Sequence, residues 1–295
     1  MIKQEMVIEN DIKQQVREFY DQVGWREVGD GLYQNARYED LRSVSREYIN
    51  RCHLRVMNHL SPNGRYLLDA GSGPIQYPEY LDYSREYDFR VCADISITAL
   101  IEARERIGSH GLFVVTDIAF LPFSPDIFDG VVSLHTVHHL PADQHVQAYL
   151  ELHRVLHPNR SAVVVNGWHK PPLGESLKKL RKVTQRIQGV IKHRILRQKQ
   201  NRKEINPIGS QQASSEVKST FVEKNRPDWF KKEIGSLIST EIFVWRSVSV
   251  KDLRTFIHDG WGGRGILKIL FWLENRFPRW LGENGQYPLV VVRKS

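Results

Sequence analysis

The apolar positions of the chain change their period along its length. Over residues 9–25, Ile12, Val16, Phe19, Tyr20 and Val23 recur at helical spacing before Gly24 and Trp25. A second helical stripe, from about 40 to 60, runs through Leu41, Val44, Tyr48, Ile49, Cys52, Val56 and Leu60 until Pro62, Asn63 and Gly64 stop it. Short apolar runs then alternate with helical segments. Strands are predicted at 66–69, 89–94, 112–116, 128–134 and 161–166. The helices between them fall at about 76–86, at 97–107 with Ser96 as its cap, and at about 143–156. Such alternation predicts a parallel sheet with helices on both faces and a ligand at the carboxyl ends of the strands.

Past Trp168 the pattern changes. A basic amphipathic helix is predicted over about 174–198, with Leu177, Leu180, Val183, Ile187, Val190, Ile191 and Ile195 on one face, and a polar stretch follows it. A strand at 241–250, helices at 253–257 and 266–277, and a last antiparallel strand at 287–293 complete the chain. The predicted organisation is an N-terminal helical cap (1–60), an α/β core (61–167), a basic helical insertion with a flexible loop (168–240) and C-terminal strands and helices that complete the core (241–295).

Charge alters this picture in one place. The 295 residues carry a net charge of +8, yet residues 170–203 hold twelve Lys or Arg against Glu175 alone, so this segment is at +11 and the remainder at −3. A mildly acidic domain with one basic segment points to a local anionic partner. Hydrophobic content of 41% and charged content of 26% suit a globular core. No stretch reaches the roughly 18 apolar residues of a spanning helix, and the acids near the start are foreign to a signal peptide, which predicts a cytoplasmic protein. Cys52 and Cys92 are too few for a disulfide framework or a zinc set and read as core residues.

The candidate chemistry centres on Asp69-Ala70-Gly71-Ser72-Gly73-Pro74-Ile75-Gln76, a strand end feeding a Gly-x-Gly turn. Glycines there permit positive φ and let a ligand approach the backbone. A dinucleotide site would have a third glycine where Gln76 stands, and Asp69 would repel a pyrophosphate. A ligand with a cationic head suits it better.

This stretch resembles motif I of the class I S-adenosylmethionine-dependent methyltransferases, and LPFSPDIFDGVVSLHTVHHLP with ELHRVLHPNRSAVVV is similar to the fourth and fifth strands of their UbiE-like branch. The resemblance covers about residues 64–167. It implies a Rossmann-like, doubly wound, mostly parallel seven-stranded sheet with an antiparallel last strand, N-terminal cap helices and a helical insertion before strand 6. It also implies S-adenosyl-L-methionine as cofactor, held by Asp69, Ala70, Gly71, Ser72 and Gly73. Asp94, 21 residues past Gly73, would take the ribose hydroxyls together with Ile95. Asp117 and Ile118 would receive the adenine, and Ser133 and Leu134 would line the site. Ile75 stands where the family often has a third glycine, and Pro158-Asn159-Arg160 replaces a common Pro-Gly-Gly.

His135, directly after the fourth strand, is the candidate general base, with His169 a second candidate. The spacing of His135, His138 and His139 lacks the further cluster a metal site needs, so none is assigned. The aromatics Tyr20, Trp25, Tyr33 and Tyr38 are expected to cover the cleft. For the acceptor, a small lipophilic molecule is the first reading, with residues 170–203 resting on an anionic membrane at its inner face. An RNA (tRNA) substrate and a non-catalytic cofactor-binding scaffold stay open as alternatives. A solvated, packed face is an equal account of the basic helix.

Overall fold

The computed structural model describes residues 2–25, 27–29, 32–33, 39–184, 186 and 220–295. Helix α1 (Ile2–Phe19) runs into a single wider turn, Tyr20–Gly24. A small ribbon of β1 (Glu27–Gly29) and β2 (Leu32–Tyr33) follows, then α2 (Ser43–His53) with a 3₁₀ extension, Leu54–Asn58. The core then alternates through β3 (Gly64–Ala70), β4 (Tyr87–Asp94), α3 (Ile97–Ile107), β5 (Gly111–Val115), β6 (Phe128–Leu134), α4 (Gln144–Val155) and β7 (Leu156–Val165). After α5 (172–184) come α6 (Pro227–Glu233), β8 (Ser239–Arg246), α7 (Val250–Phe256), α8 (Gly263–Arg276), α9 (Pro278–Asn284) and β9 (Tyr287–Arg293).

The seven strands β3 to β9 form one sheet in the order β5-β4-β3-β6-β7-β9-β8, parallel except for β9, which runs antiparallel to both β7 and β8. The carboxyl ends of β3 to β7 therefore share one edge. The reversal of β9 brings its first residue, Tyr287, to that edge, paired with Arg246 at the end of β8. Because both faces are covered, the strands are apolar on both sides. Leu68, Val131 and Val164 pack under α4 and α6 with Leu152 and Phe230, while Leu67, Val132 and Val163 pack with Leu100 and Trp245 on the other face. A smaller cluster joins α2 to α7 and α8 through Ile49, Leu253 and Leu267.

Several expected elements differ in detail. The helix expected at 76–86 is a 3₁₀ segment, Pro78–Ser84, whose three-residue period brings Tyr80 and Tyr83 into register, stacked at 5.3 Å. β7 begins at Leu156 and takes Pro158 and Asn159 into a bulge, where the pairing jumps from Phe128↔Leu156 to Gly130↔Ser161 and Asn159 adopts φ 62°. The strand expected to continue to 250 stops at Arg246, because Ser249 and Asp252 form a capping box that starts α7. Of the predicted basic helix, 172–184 is helical and most of the remainder, with the polar stretch to 219, lies outside the described residues, as do Tyr38 and the side chain of Tyr33. The β1–β2 ribbon and α6 were not foreseen. Both cysteines are buried and free. Among the described residues no helix is long and apolar enough to cross a membrane.

Candidate active site

The glycine turn is tied to the end of β4: Gly71 and Ser72 donate their N–H groups to the Ala93 carbonyl at 2.7 and 3.3 Å. Gly71 and Gly73 have φ of 77° and 54°. A Cβ on Gly71 would lie 2.1 Å from the Thr136 side chain, and one on Gly73 would lie 2.9 Å from the Trp25 ring. Glycine is thus required at both for backbone angle and for space. Ile75 also sits at positive φ, 55°, with its side chain wholly buried. A β-branched residue there costs about 1–3 kcal/mol of strain. Burial of the isoleucine and the 2.7 Å hydrogen bond from Arg106 to its carbonyl hold it in place.

The three acids at strand ends occupy three different environments. Asp69 is buried, and its Oδ2 is bound by the Arg90 guanidinium, which also donates to the Tyr80 carbonyl. The free anion expected to face a cationic head is therefore part of a buried ion pair. Asp94 accepts from Gly73 N at 2.9 Å and from Ser96 N at 2.9 Å. Burial pushes its carboxyl up to about 6 against the pull of these two N–H groups, and the charges of Asp69 and Asp21 add to the rise. Asp117 accepts from Ala119 N at 2.9 Å and is paired with Lys13 of α1.

Helix α1 and the turn after it cover this edge. Lys13 also lies 5.0 Å over the exposed Phe120 ring. Asp21 accepts from the Ser96 hydroxyl, whose oxygen in turn caps α3 through Ala99 N at 3.1 Å. Trp25 lies on Gly73 and stacks on Tyr20 at 5.1 Å. The Tyr20 hydroxyl reaches His139 Nε2 at 2.8 Å. His139 Nδ1 donates to the Phe221 carbonyl at 2.7 Å, so its Nε2 is the acceptor from Tyr20.

The remaining expected residues divide between the cleft and the core. Ala70 and Ser133 are fully buried, and the Ser133 hydroxyl donates to the Ala70 carbonyl at 2.8 Å, holding β3 against β6. Ile118 is buried in the cluster under α4 and α6, Leu134 packs against the cluster on the other face of the sheet, and Ile95 stays half-buried beside Asp94. His135 has φ 57° and lies 4.9 Å from the Trp245 ring and 5.6 Å from Tyr287. Burial above all, with the charge of Arg246, pushes its imidazole down to about 3. An imidazole so weakly basic is poorly matched to proton abstraction near pH 7. His169 is exposed and meets Asn225 only through its backbone.

Lys13, Arg90 and Thr136 belong to the site but carried no sequence signal. Each reaches it from a separate element, and Lys13 lies 104 residues from its partner Asp117.

Residues 68–164 match the family model described as "Methyltransferase domain". No curated protein matches the chain in sequence. Among solved structures, the chain is similar to phosphoethanolamine N-methyltransferase 1 of Haemonchus contortus in complex with phosphoethanolamine and S-adenosylhomocysteine. The identity is 11% and the TM-score 0.55, with 97% of this chain and 49% of that one covered, so the chain spans about half the length of that structure. A geranyl diphosphate methyltransferase in complex with GPP and sinefungin matches at 11% identity and TM-score 0.55, covering 97% of this chain and all of the other (100%). The [4+2]-cyclase SpnF matches at 16% identity and TM-score 0.51, with 96% of each chain covered. At these identities the likeness is one of fold, and the cyclase shows that the fold by itself does not fix the reaction. The family match means that residues 68–164, spanning β3 to β7, carry a methyltransferase domain; the sheet has the fold of the S-adenosylmethionine-dependent methyltransferases, and the glycine turn with its strand-end acids fits S-adenosylmethionine as the cofactor.

Proposed function

We propose that the protein transfers a methyl group to a small lipophilic acceptor at the carboxyl edge of the sheet. The observation that carries this reading is the joining of Gly73 N–H to the Asp94 carboxylate, with Asp117 at the next strand end. A carboxylate is a pure acceptor and suits two ribose hydroxyls, and Asp117 suits the adenine amino group. The cofactor supplies a methyl group already activated on a sulfonium. The chain's part is to orient the acceptor and exclude water, which Trp25, Tyr20 and α1 do by covering the glycine turn. No strong base is required of the protein, in keeping with the weak basicity of His135.

The lipophilic acceptor and a membrane surface are supported by exposed apolar side chains among cations. Leu180 and Val183 of α5 are exposed beside Lys178, Lys179 and Lys182. On α8 and α9, Ile269 is 62% exposed, Trp272 61% and Trp280 60%, among Lys268, Arg276 and Arg279. Tryptophans favour the lipid–water boundary, and each Lys or Arg near an anionic bilayer contributes about 1 kcal/mol.

The test is incubation with methyl-tritiated S-adenosylmethionine and a cell extract, followed by organic extraction. Label in the organic phase that disappears with Asp94→Ala supports the reading. Label in the RNA fraction favours a nucleic-acid acceptor. Cofactor binding with no label transferred to any fraction favours the scaffold.

A further inference from the structure

Residues 220–226 form a strap across the carboxyl edge, held at four points. Glu223 N donates to the His138 carbonyl at 2.8 Å, and the Phe221 carbonyl accepts from His139 Nδ1 at 2.7 Å. The Asn225 carbonyl accepts from His169 N at 2.9 Å, and its side-chain amide donates to His145 Nδ1 at 2.7 Å. Between these anchors the strap lays Lys224 across Gly167, two residues past the end of β7. A Cβ on Gly167 would lie 2.9 Å from Lys224 Nζ, 3.2 Å from Cε and 3.5 Å from Cδ. The missing side chain is what allows the ammonium to lie there.

Among the described residues no carboxylate or hydrogen-bond acceptor meets this ammonium, whereas two buried arginines are each paired. Arg246 is bound to Glu39 and Arg90 to Asp69. The pocket of Lys224 is lined by the neutral His138, joined through Nδ1 to Asn166 at 3.1 Å, with Val137, Asn166 and Gly167, and the one acid that borders it among the described residues, the exposed Glu223, makes no ion pair with the ammonium. Lys224 adds to the forces that keep His135, His138 and His139 uncharged, and burial lowers its own pKa. A half-buried cation without a counter-ion is costly, and an anion placed against it recovers that cost.

We propose that Lys224 anchors an acceptor subsite for an anionic group, a carboxylate or a phosphate monoester, so that the methyl acceptor is an amphiphile whose charged end docks beside Gly167. The substrate class rests on the methyl-transfer reading, whereas the anion site itself does not.

Calorimetric titration of protein saturated with S-adenosylhomocysteine, using octanoate, octyl phosphate and 1-octanol as probes, tests it. One or both anions should bind at least tenfold more tightly than the alcohol, and whichever wins distinguishes carboxylate from phosphate. Lys224→Gln should abolish the preference. Gly167→Ala, which displaces the ammonium while keeping its charge, should reduce it several-fold. Binding of S-adenosylhomocysteine should stay within about twofold in both variants. Equal binding of anion and alcohol by the parent, or a preference that survives Lys224→Gln, overturns the subsite. Failure of the parent to bind S-adenosylhomocysteine would instead refute the methyl-transfer reading, and the same probes titrated alone would still decide the anion site.

Discussion

Gly73 donates its backbone N–H to the Asp94 carboxylate at 2.9 Å, joining the turn after β3 to the end of β4. Two segments separated by an intervening 3₁₀ helix are thereby held as one surface, and the charge of Asp94 sits where the turn opens.

On the proposed reading, that relationship should make cofactor binding pH-dependent. The Asp94 carboxyl is raised to about 6, chiefly by burial. Ribose hydroxyls donate to the ionised form, so a proton competes with the cofactor below that value. Affinity for S-adenosylhomocysteine should be level above pH 7 and fall toward tenfold per unit below pH 6. Asp94→Asn should bind weakly at every pH and lose the slope. Titrations at pH 5, 6, 7 and 8 measure it, and equal affinity at pH 5 and 8 would refute the role.

Lys13 is paired with Asp117, the carboxylate that the proposed reading assigns to the adenine amino group. Lys13→Gln removes the competitor and should leave S-adenosylhomocysteine affinity unchanged or a few-fold tighter, with faster association. Asp117→Ala should weaken it about tenfold, the usual worth of a hydrogen bond to a charged group. Stopped-flow fluorescence of Trp25 and its neighbours would report both rates.

Arg90→Met should be among the most destabilising single changes in the core. It leaves Asp69 buried without its partner, a loss of about 3–5 kcal/mol. For a chain of this size that is roughly a 10 °C fall in Tm. The double variant Asp69→Leu with Arg90→Met should recover part of the loss, because no lone charge remains. Thermal unfolding of the two proteins compares them, and an unchanged Tm in Arg90→Met would show that the pair is not a structural anchor.

Tyr20→Phe removes the hydroxyl that binds His139 and should loosen the turn that carries Trp25. A neutral hydrogen bond contributes about 0.5–1.5 kcal/mol, so amide exchange across residues 11–25 should quicken roughly 2–10-fold while β3 to β7 stay protected. Exchange mass spectrometry reads both regions in one experiment.

Much of this architecture was legible because it rests on local signals. The bounds of β6 and β9 follow from apolar runs closed by turn residues, and Ser96 caps α3 as its position before the helical stripe indicates. Asp94 and Asp117 fall where the strand pattern ends. What escaped depends on the tertiary register. Arg90 meets Asp69 only because β4 lies parallel to β3 with Cys92 opposite Asp69, and Lys13 reaches Asp117 from a helix whose docking angle no periodicity encodes. The weakness of His135 as a base is a matter of burial against Trp245, on a strand more than a hundred residues later. The segment at 76–86 looked α-helical because aromatic residues three apart suit either helix; Pro78 and the tyrosine stack select 3₁₀.

The most direct measurement is calorimetric titration of S-adenosylhomocysteine into the parent protein and into Asp94→Ala at pH 7.5. Micromolar binding by the parent, with at least a tenfold loss in the variant, is the predicted result. A folded parent that binds nothing, or a variant that binds as well as the parent, would contradict the assignment of the glycine turn and the β4 acid to the cofactor.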